Sequence, residues 1–362
     1  MKILYAIQGT GNGHLSRARE IIPILQRKGE LDILISGTQA DVELPFPVKF
    51  RFKGLCFIFG KKGGIDVMAT YRKSNLKRLF KEIKSLPIEN YDLVINDFEP
   101  VSAWACRRKH KLCVGLSHQS AVIDKNSPKP DKTDLIGKSI LLHYAPVSVS
   151  YGFHFSNYSE HIFTPVIRSE IRHPAPGIRP HYTVYLPAYS DKRIIRVLSE
   201  IKKIEWQVFS KHSKKTYRDG NISICPIEND AFVESMIHCT GILCGAGFET
   251  PAEALYLKKK LLVIPMKGQY EQQCNAAALA ALDVPVLKSL KEKYLEKIKL
   301  WTELPQIIPV HYPDMTEKII EMLIRENMAG DKHLPVQLGE GIYTLKNLKE
   351  NSLERILNQS AE

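Results

Sequence analysis

The alternation of short, continuously apolar runs with longer amphipathic stretches limits the fold of this chain more than any other feature, and it occurs twice. In the first half, "KILYAIQ", "LDILIS", "YDLVIND" and "KLCVGLSH" read as strands. Between them "LSRAREIIPILQRKG" (closed by Gly29), "NLKRLFKEIKSL" and "PVSAWACRRKH" carry apolar residues at helical spacing. A strand that is apolar at nearly every position must be covered on both faces, as happens in a parallel sheet flanked by helices. From about Tyr144 to His181 the chain is rich in proline, histidine and aromatic residues without a long periodic run, so a domain junction is expected there. The second half resumes with strands "YTVYLPA", "EWQVFS", "ISICPI", "TGILCG" and "LLVIP". Its helices are "DKRIIRVLSEIKK", "NDAFVESMIHC", "FETPAEALYLKK" and "EQQCNAAALAAL". The expected fold class is α/β, with two Rossmann-like parallel-sheet domains facing across a cleft. The expected divisions are 1–165, 166–330 and a tail, 331–362, that packs back on the first domain.

The chain has 362 residues, and a hydrophobic fraction of 44% leaves ample material for two cores. No apolar run approaches the ~20 residues needed to span a bilayer, and "MKILYAIQGTG" reads as a strand rather than a signal peptide. Seven cysteines without a CxxC argue against a disulfide framework, so a reducing cytoplasm is expected. The net charge of +12 is partly local: Arg51 to Lys84 holds ten basic residues against Asp66 and Glu82. Within it, Leu76, Leu79, Phe80 and Ile83 form one helical stripe. The plain reading is a packed helix with a solvated basic face; the sharper one is attachment to an anionic membrane or an acidic acceptor. No nucleic acid is expected, because no recognisable nucleic-acid motif accompanies the charge.

After the first strand comes "QGTGNGH", with Gly9, Gly11 and Gly13 spaced GxGxG. A dinucleotide fingerprint would need GxGxxG and an acid at the tip of the second strand, but that strand ends "ILISGTQ". A phosphate loop would need Lys followed by Ser or Thr, which is absent. What remains is a loop that presents His14 at a helix N-terminus, whose positive end favours the neutral, base-competent imidazole. On the neighbouring strand tip, "NDFEP" offers Asp97 and Glu99, each either an orienting or basic carboxylate or a helix cap. "SHQS" adds His118 as a further wall residue, or as a core or cap residue.

The C-terminal stretch "CGAGFETPAEALYLKKKLLVIPMKGQYEQQCNAAAL" is more specific. Gly245, Ala246 and Gly247 follow a strand and open a helix, where free amides can hold a diphosphate. Glu253 lies further along that helix, where a carboxylate can hold a ribose diol. Glu271 and Gln272, six and seven residues after Pro265, open the next helix, where polar side chains can bind sugar hydroxyls. Gln273 and Asn275 add to that set or fix the loop.

This stretch resembles the nucleotide-sugar signature of the two-domain glycosyltransferases called GT-B: a glycine-rich turn, Glu-Ala on the helix, a strand ending in Pro, then Asp/Glu-Gln and Asn-Ala. It is most similar to the family 28-like branch containing MurG, the diacylglycerol glycosyltransferases and the macrolide glycosyltransferases, whose N-terminal loop reads GxGGH where this chain has "GTGNGH". The resemblance implies an inverting, metal-independent glycosyltransferase with no cofactor. Its donor would be a nucleoside diphosphate sugar, with UDP the expected nucleotide. Gly245, Ala246, Gly247 and Phe248 would meet the diphosphate, Glu253 the ribose, and Glu271 and Gln272 the sugar. Gly11, Asn12, Gly13 and His118 would face the acceptor, with His14, Asp97 or Glu99 as base. No tryptophan opens the motif to stack on a base, so backbone near Phe209 or Ile227 is expected to hold it. The acceptor is expected to be a hydroxyl compound, with a lipid at the inner face of the cell membrane in view because Phe57, Ile58 and Phe59 adjoin Lys61 and Lys62. An epimerase acting on a UDP-sugar and a non-catalytic nucleotide-sugar binder are the alternatives.

Overall fold

The computed structural model describes residues 1–37, 44–55, 76–173 and 177–328. The first domain is a seven-stranded sheet of β1 (Lys2–Gln8), β2 (Glu30–Ser36), β3 (Phe50–Phe52), β4 (Leu93–Asp97), β5 (Val114–Ser117), β6 (Val149–Phe153) and β7 (Ile162–Phe163), in the order β3-β2-β1-β4-β5-β6-β7. All of these pairings are parallel. Its helices are α1 (Asn12–Lys28), α2 (Leu76–Ser85), α3 (Pro100–Arg108), α4 (His118–Ile123) and α5 (Leu135–His143). The short α6 (Ser169–Arg172) leads into the second domain.

The second sheet comprises β8 (His181–Tyr185), β9 (Glu205–Ser210), β10 (Tyr217–Asp219), β11 (Ile222–Pro226), β12 (Gly241–Gly245) and β13 (Lys260–Ile264), in the order β10-β11-β9-β8-β12-β13. Only β10, at the edge, runs antiparallel to its neighbour. The helices here are α7 (Asp191–Leu198), α8 (Asn229–His238), α9 (Glu249–Tyr256), α10 (Tyr270–Ala280) and α11 (Leu295–Glu303). The last helix, α12, spans Thr316–Met328.

Both sheets place the site by the same rule. Strand order reverses between β1 and β4 in one and between β8 and β12 in the other, and the loops leaving such a switch point diverge to open a crevice. Register puts the ends of β1 and β4 side by side, with Ile7 opposite Asp97. The glycine loop and the "NDFEP" turn are therefore neighbours. In the second sheet the Gly245–Phe248 loop leaves β12 and faces them.

Two expectations are revised. The segment after Tyr144 is not simply a junction, because β6 and β7 within it complete the first sheet. These strands are too short to show a periodicity, and their aromatic residues Tyr151 and Phe153 are core. Helix α12, placed by sequence in the second domain, returns to pack on α1. Its Ile319, Ile320 and Leu323 are buried in the cluster that holds Ile21 and Leu25. Lys28 Nζ pairs with Glu321 at 2.6 Å and Arg27 with Glu317 at 3.0 Å, exposed pairs that contribute little beside that apolar contact.

In the basic segment, Leu79 and Ile83 of α2 are buried, so its apolar stripe packs on the core. The segment Phe57–Lys62 and the tail 331–362 lie outside the described residues.

Candidate active site between the two domains

A cleft of about 520 Å³ runs between the sheets. Of the residues singled out from sequence, Gly11, Asn12, Gly13, His14, His118, Gly245, Gly247, Phe248, Glu253, Glu271 and Gln272 line it. Asp97 stands directly behind His14.

His14 occupies the first turn of α1, with 14% of its side chain exposed. Its Nδ1 lies 2.9 Å from Asp97 Oδ1. Burial alone would raise the Asp97 carboxyl, but the charge of Arg17 and the contact with His14 outweigh it and hold the group below its ordinary value. An ionised carboxylate can only accept, so the proton of His14 belongs on Nδ1 and the lone pair of Nε2 is left towards the cleft. Between Asp97 and the helix cap, Phe98 takes a φ of +56°, a strained conformation for a residue with a side chain. Its ring packs on Tyr144 and lines the cleft.

Arg17 was not singled out from sequence. It is almost fully buried, and its Nη2 donates to both Asp97 oxygens at 2.8 Å. Its Nη1 donates across the domain boundary to Glu249, the first residue of α9. A signal was available: Arg17 falls on the same helical stripe as Ile21 and Leu25, and a charge on a buried stripe must be paired. Gly13 makes room for the same approach, since a Cβ there would push against the end of the Glu249 side chain.

Several expected residues serve elsewhere. Glu99 is the N-cap of α3: its oxygens accept from the amides of Val101 (2.7 Å) and Ser102 (2.6 Å) and from the hydroxyls of Ser102 and Ser36. It is wholly buried and does not line the cleft, so the base reading is corrected to a structural one. Replacing it with alanine is expected to cost about 1–2 kcal/mol in urea unfolding while the pH profile of turnover stays unchanged.

Ala246, Gln273 and Asn275 are also absent from the cleft wall. Asn275 is buried, donating to the Ala246 carbonyl at 3.1 Å and placing Oδ1 2.8 Å from His118 Nε2. Phe209 is buried and packs edge-on against Phe232; Ile227 and Phe232, with Tyr185 and Pro187, are the apolar residues at that end of the cleft.

His118 bridges the domains. It is the first residue of α4, capped by Ser117, rather than the end of a strand. Its ring stacks on Phe248 with centroids 3.9 Å apart and planes 5° from parallel, and Nδ1 lies 2.8 Å from the Phe153 carbonyl. Beside it, burial pushes His154 down to about 2. A histidine neutral in the fold and ordinary (about 6.5) when unfolded stabilises the protein above that value and loses its contribution as pH falls below it. Stability is expected to drop by about 1 kcal/mol per pH unit between 6.5 and 4, and His154→Phe to flatten that slope in urea titrations.

On the donor side, Glu253 is buried and tied to Arg168 by two bonds, Nε–Oε1 at 2.6 Å and Nη2–Oε2 at 2.9 Å. Arg168 also reaches Glu170 (2.9 Å) and Asn229 (3.0 Å). Gln272 Oε1 accepts from the Met266 amide at 2.9 Å, fixing the loop after β13. Glu271 Oε2 accepts at 3.1 Å from Gln119, whose Nε2 is also 3.4 Å from His14 Nε2. A polar line thus runs from the imidazole of one domain to the carboxylate of the other. Among the described residues no three His, Cys, Asp or Glu side chains gather to hold a metal ion, and no helix is long and apolar enough to cross a membrane.

This arrangement matches known folds. The glycosyltransferase of kitacinnamycin superposes with a TM-score of 0.53 at 11% identity, covering 90% of this chain and 95% of that one. MurG of Acinetobacter baumannii gives 0.50 at 15%, covering 91% and 95%. The glycosyltransferase SnogD from Streptomyces nogalater gives 0.50 at 12%, covering 89% and 99%. At such identities the likeness is one of fold, the GT-B architecture of two facing α/β domains. No curated protein matches the chain by sequence. The family model described as Glycosyl transferase family 1 matches residues 1–302, most of the length, and the protein therefore belongs to that family and is a glycosyltransferase.

Proposed function

We propose that the enzyme transfers a sugar from a nucleoside diphosphate, with UDP the expected nucleotide, to an acceptor hydroxyl, inverting the anomeric carbon without a metal. The observation that carries this reading is the His14–Asp97 pair, which lines the same cleft as the glycine-rich loop before α9. His14 takes the proton of the attacking hydroxyl, and Asp97 holds the ring and stabilises the resulting imidazolium. Opposite, Gly245 and Gly247 leave the amides at the α9 N-terminus open to a diphosphate; a Cβ at Gly247 would meet nothing within 4 Å. Arg19 brings positive charge to the cleft wall, where it offsets the charge developing on the leaving diphosphate. Tyr185, Ile227 and Phe232 flank the base, Glu253 the ribose, and Glu271 with Gln272 the sugar. The acceptor enters along Phe98, Ile140 and Leu141, an apolar wall suited to a lipid alcohol at the cytoplasmic face of a membrane.

A panel of UDP-, GDP- and dTDP-sugars, followed by nucleoside diphosphate release with and without acceptor, tests the proposal. One donor is expected to turn over only when an acceptor is present, and Glu253→Ala to lose its binding. Conversion of a nucleotide sugar to an isomer without any acceptor would overturn it.

A further inference from the structure

The charges behind His14 favour its work as a base only once the second domain is counted. Arg17 Nη2 donates to both oxygens of Asp97 at 2.8 Å and also stands 3.2 Å from His14 Nδ1. The carboxylate that orients the imidazole is therefore already committed to a cation. That same cation opposes a proton arriving on the ring. Burial works against the charge of Arg17, but Asp97 and Glu249 outweigh burial and keep the guanidinium ionised. Asp97 and Arg17 by themselves form a neutral pair, which does little to stabilise the imidazolium that base catalysis creates.

Glu249 changes this balance. It is the first residue of α9, in the second domain, and its carboxylate accepts from Arg17 Nη1. The side chain is 24% exposed and lines the cleft. Two carboxylates then share one guanidinium, and the cluster is left with a net negative charge that a proton on His14 neutralises. The other titratable groups nearby do not supply this charge. Tyr5, on β1, is wholly buried, and burial together with the Asp97 charge pushes its phenol far up, so it stays neutral. Burial likewise pushes His118 down and keeps it neutral. Glu271 of α10 meets His14 only through the Gln119 amide. Within α9, Glu253 is matched to Arg168, and Arg19 of α1 has the opposite sign.

We propose that Glu249 is a positioning residue for the proton transfer: through Arg17 it supplies the charge that makes His14 an effective base, and it does so only while the two domains are docked. Base strength in the first domain is then coupled to the placement of the α9 N-terminus in the second, which confines proton abstraction to the assembled cleft. The inference rests on the proposed transfer reaction for the role of His14, but the charge coupling it describes can be measured without turnover.

Glu249→Gln keeps an oxygen for Arg17 and removes the charge. The test is the titration of His14 in the full chain, followed by NMR with carbon-13-labelled histidine, the signal being identified by its loss in His14→Ala. The midpoint in Glu249→Gln is expected to lie about one pH unit below that of the wild type, the size for removing a nearby charge from a partly buried site. In the nucleoside diphosphate release assay, the acid limb of the pH profile should move the same way. There kcat should fall roughly 3- to 10-fold without a rise in KM for the nucleotide sugar, as for a weakened base. Should Glu249→Gln not fold, judged by its thermal transition, Glu249→Ala gives the same reading. A folded variant whose His14 midpoint matches the wild type overturns the inference. So does an equal displacement in Asn275→Ala, which breaks an uncharged contact across the domain boundary. A displaced midpoint in a chain that turns over no nucleotide sugar would keep the charge coupling and count against the transferase reading. Turnover with an undisplaced midpoint would do the reverse.

Discussion

His14→Ala is expected to reduce sugar transfer by about 10²- to 10⁴-fold, the range for loss of a positioned general base. On the proposed reading, nucleoside diphosphate binding, measured by calorimetry, should hardly change, because His14 belongs to the first domain and the glycine loop before α9 to the second. The loss should appear in kcat and kcat/KM together, as for an interaction made only in the transition state. Asp97→Asn should imitate most of the effect, since an amide can donate to Nδ1 and leave the ring in the wrong tautomer. Full turnover in His14→Ala would move the base assignment elsewhere while leaving the donor site standing.

The largest expected effect on stability comes from Arg17→Met. This removes the only cation that donates to both oxygens of the wholly buried Asp97 among the described residues, and it severs the link to Glu249. Stripping one partner from a buried pair costs about 3–5 kcal/mol, because the other charge stays buried. The acid response identifies the cause. In the wild type the Asp97 carboxyl is held below its ordinary value, so its contribution is present above the unfolded value of about 3.9 and fades as pH falls through the folded one. The stability gap between wild type and variant should therefore be widest near neutral pH and shrink below pH 4. A gap that stays constant with pH would mean that lost packing, not lost charge, is responsible. Because Arg17 joins the two domains, the variant is also expected to lose its cooperative unfolding and show two transitions.

The strand-helix alternation made both α/β domains legible before any coordinates, and "GTGNGH" and "GAGFETPAEAL" marked the two lips of the cleft. Strands such as β1 and β12 are buried on both faces and must be apolar throughout, and that is visible in one dimension. Elements whose burial depends on partners were not visible in this way. β6 and β7 are too short to carry a period, and α12 shows an ordinary amphipathic stripe that does not say which domain covers it. In the site, the residue types near His14 could be read, but not their division of labour. Asp97 and Glu99 are two positions apart on the chain, yet one side chain turns to the imidazole and the other to the amides of α3, because Phe98 between them adopts a left-handed backbone.

What the amino-acid sequence determined by itself was the class of fold, the two glycine-rich turns and the kind of chemistry that such turns serve. These follow from local periodicity and backbone freedom, which neighbouring residues set. Only the tertiary structure decided that Arg17 neutralises Asp97 while holding Glu249, and that His118 and Asn275 meet across the domain boundary. Each of those roles depends on groups from distant parts of the chain meeting where water is excluded, so the partner, and with it the function of the side chain, is fixed only when the two sheets close on one another.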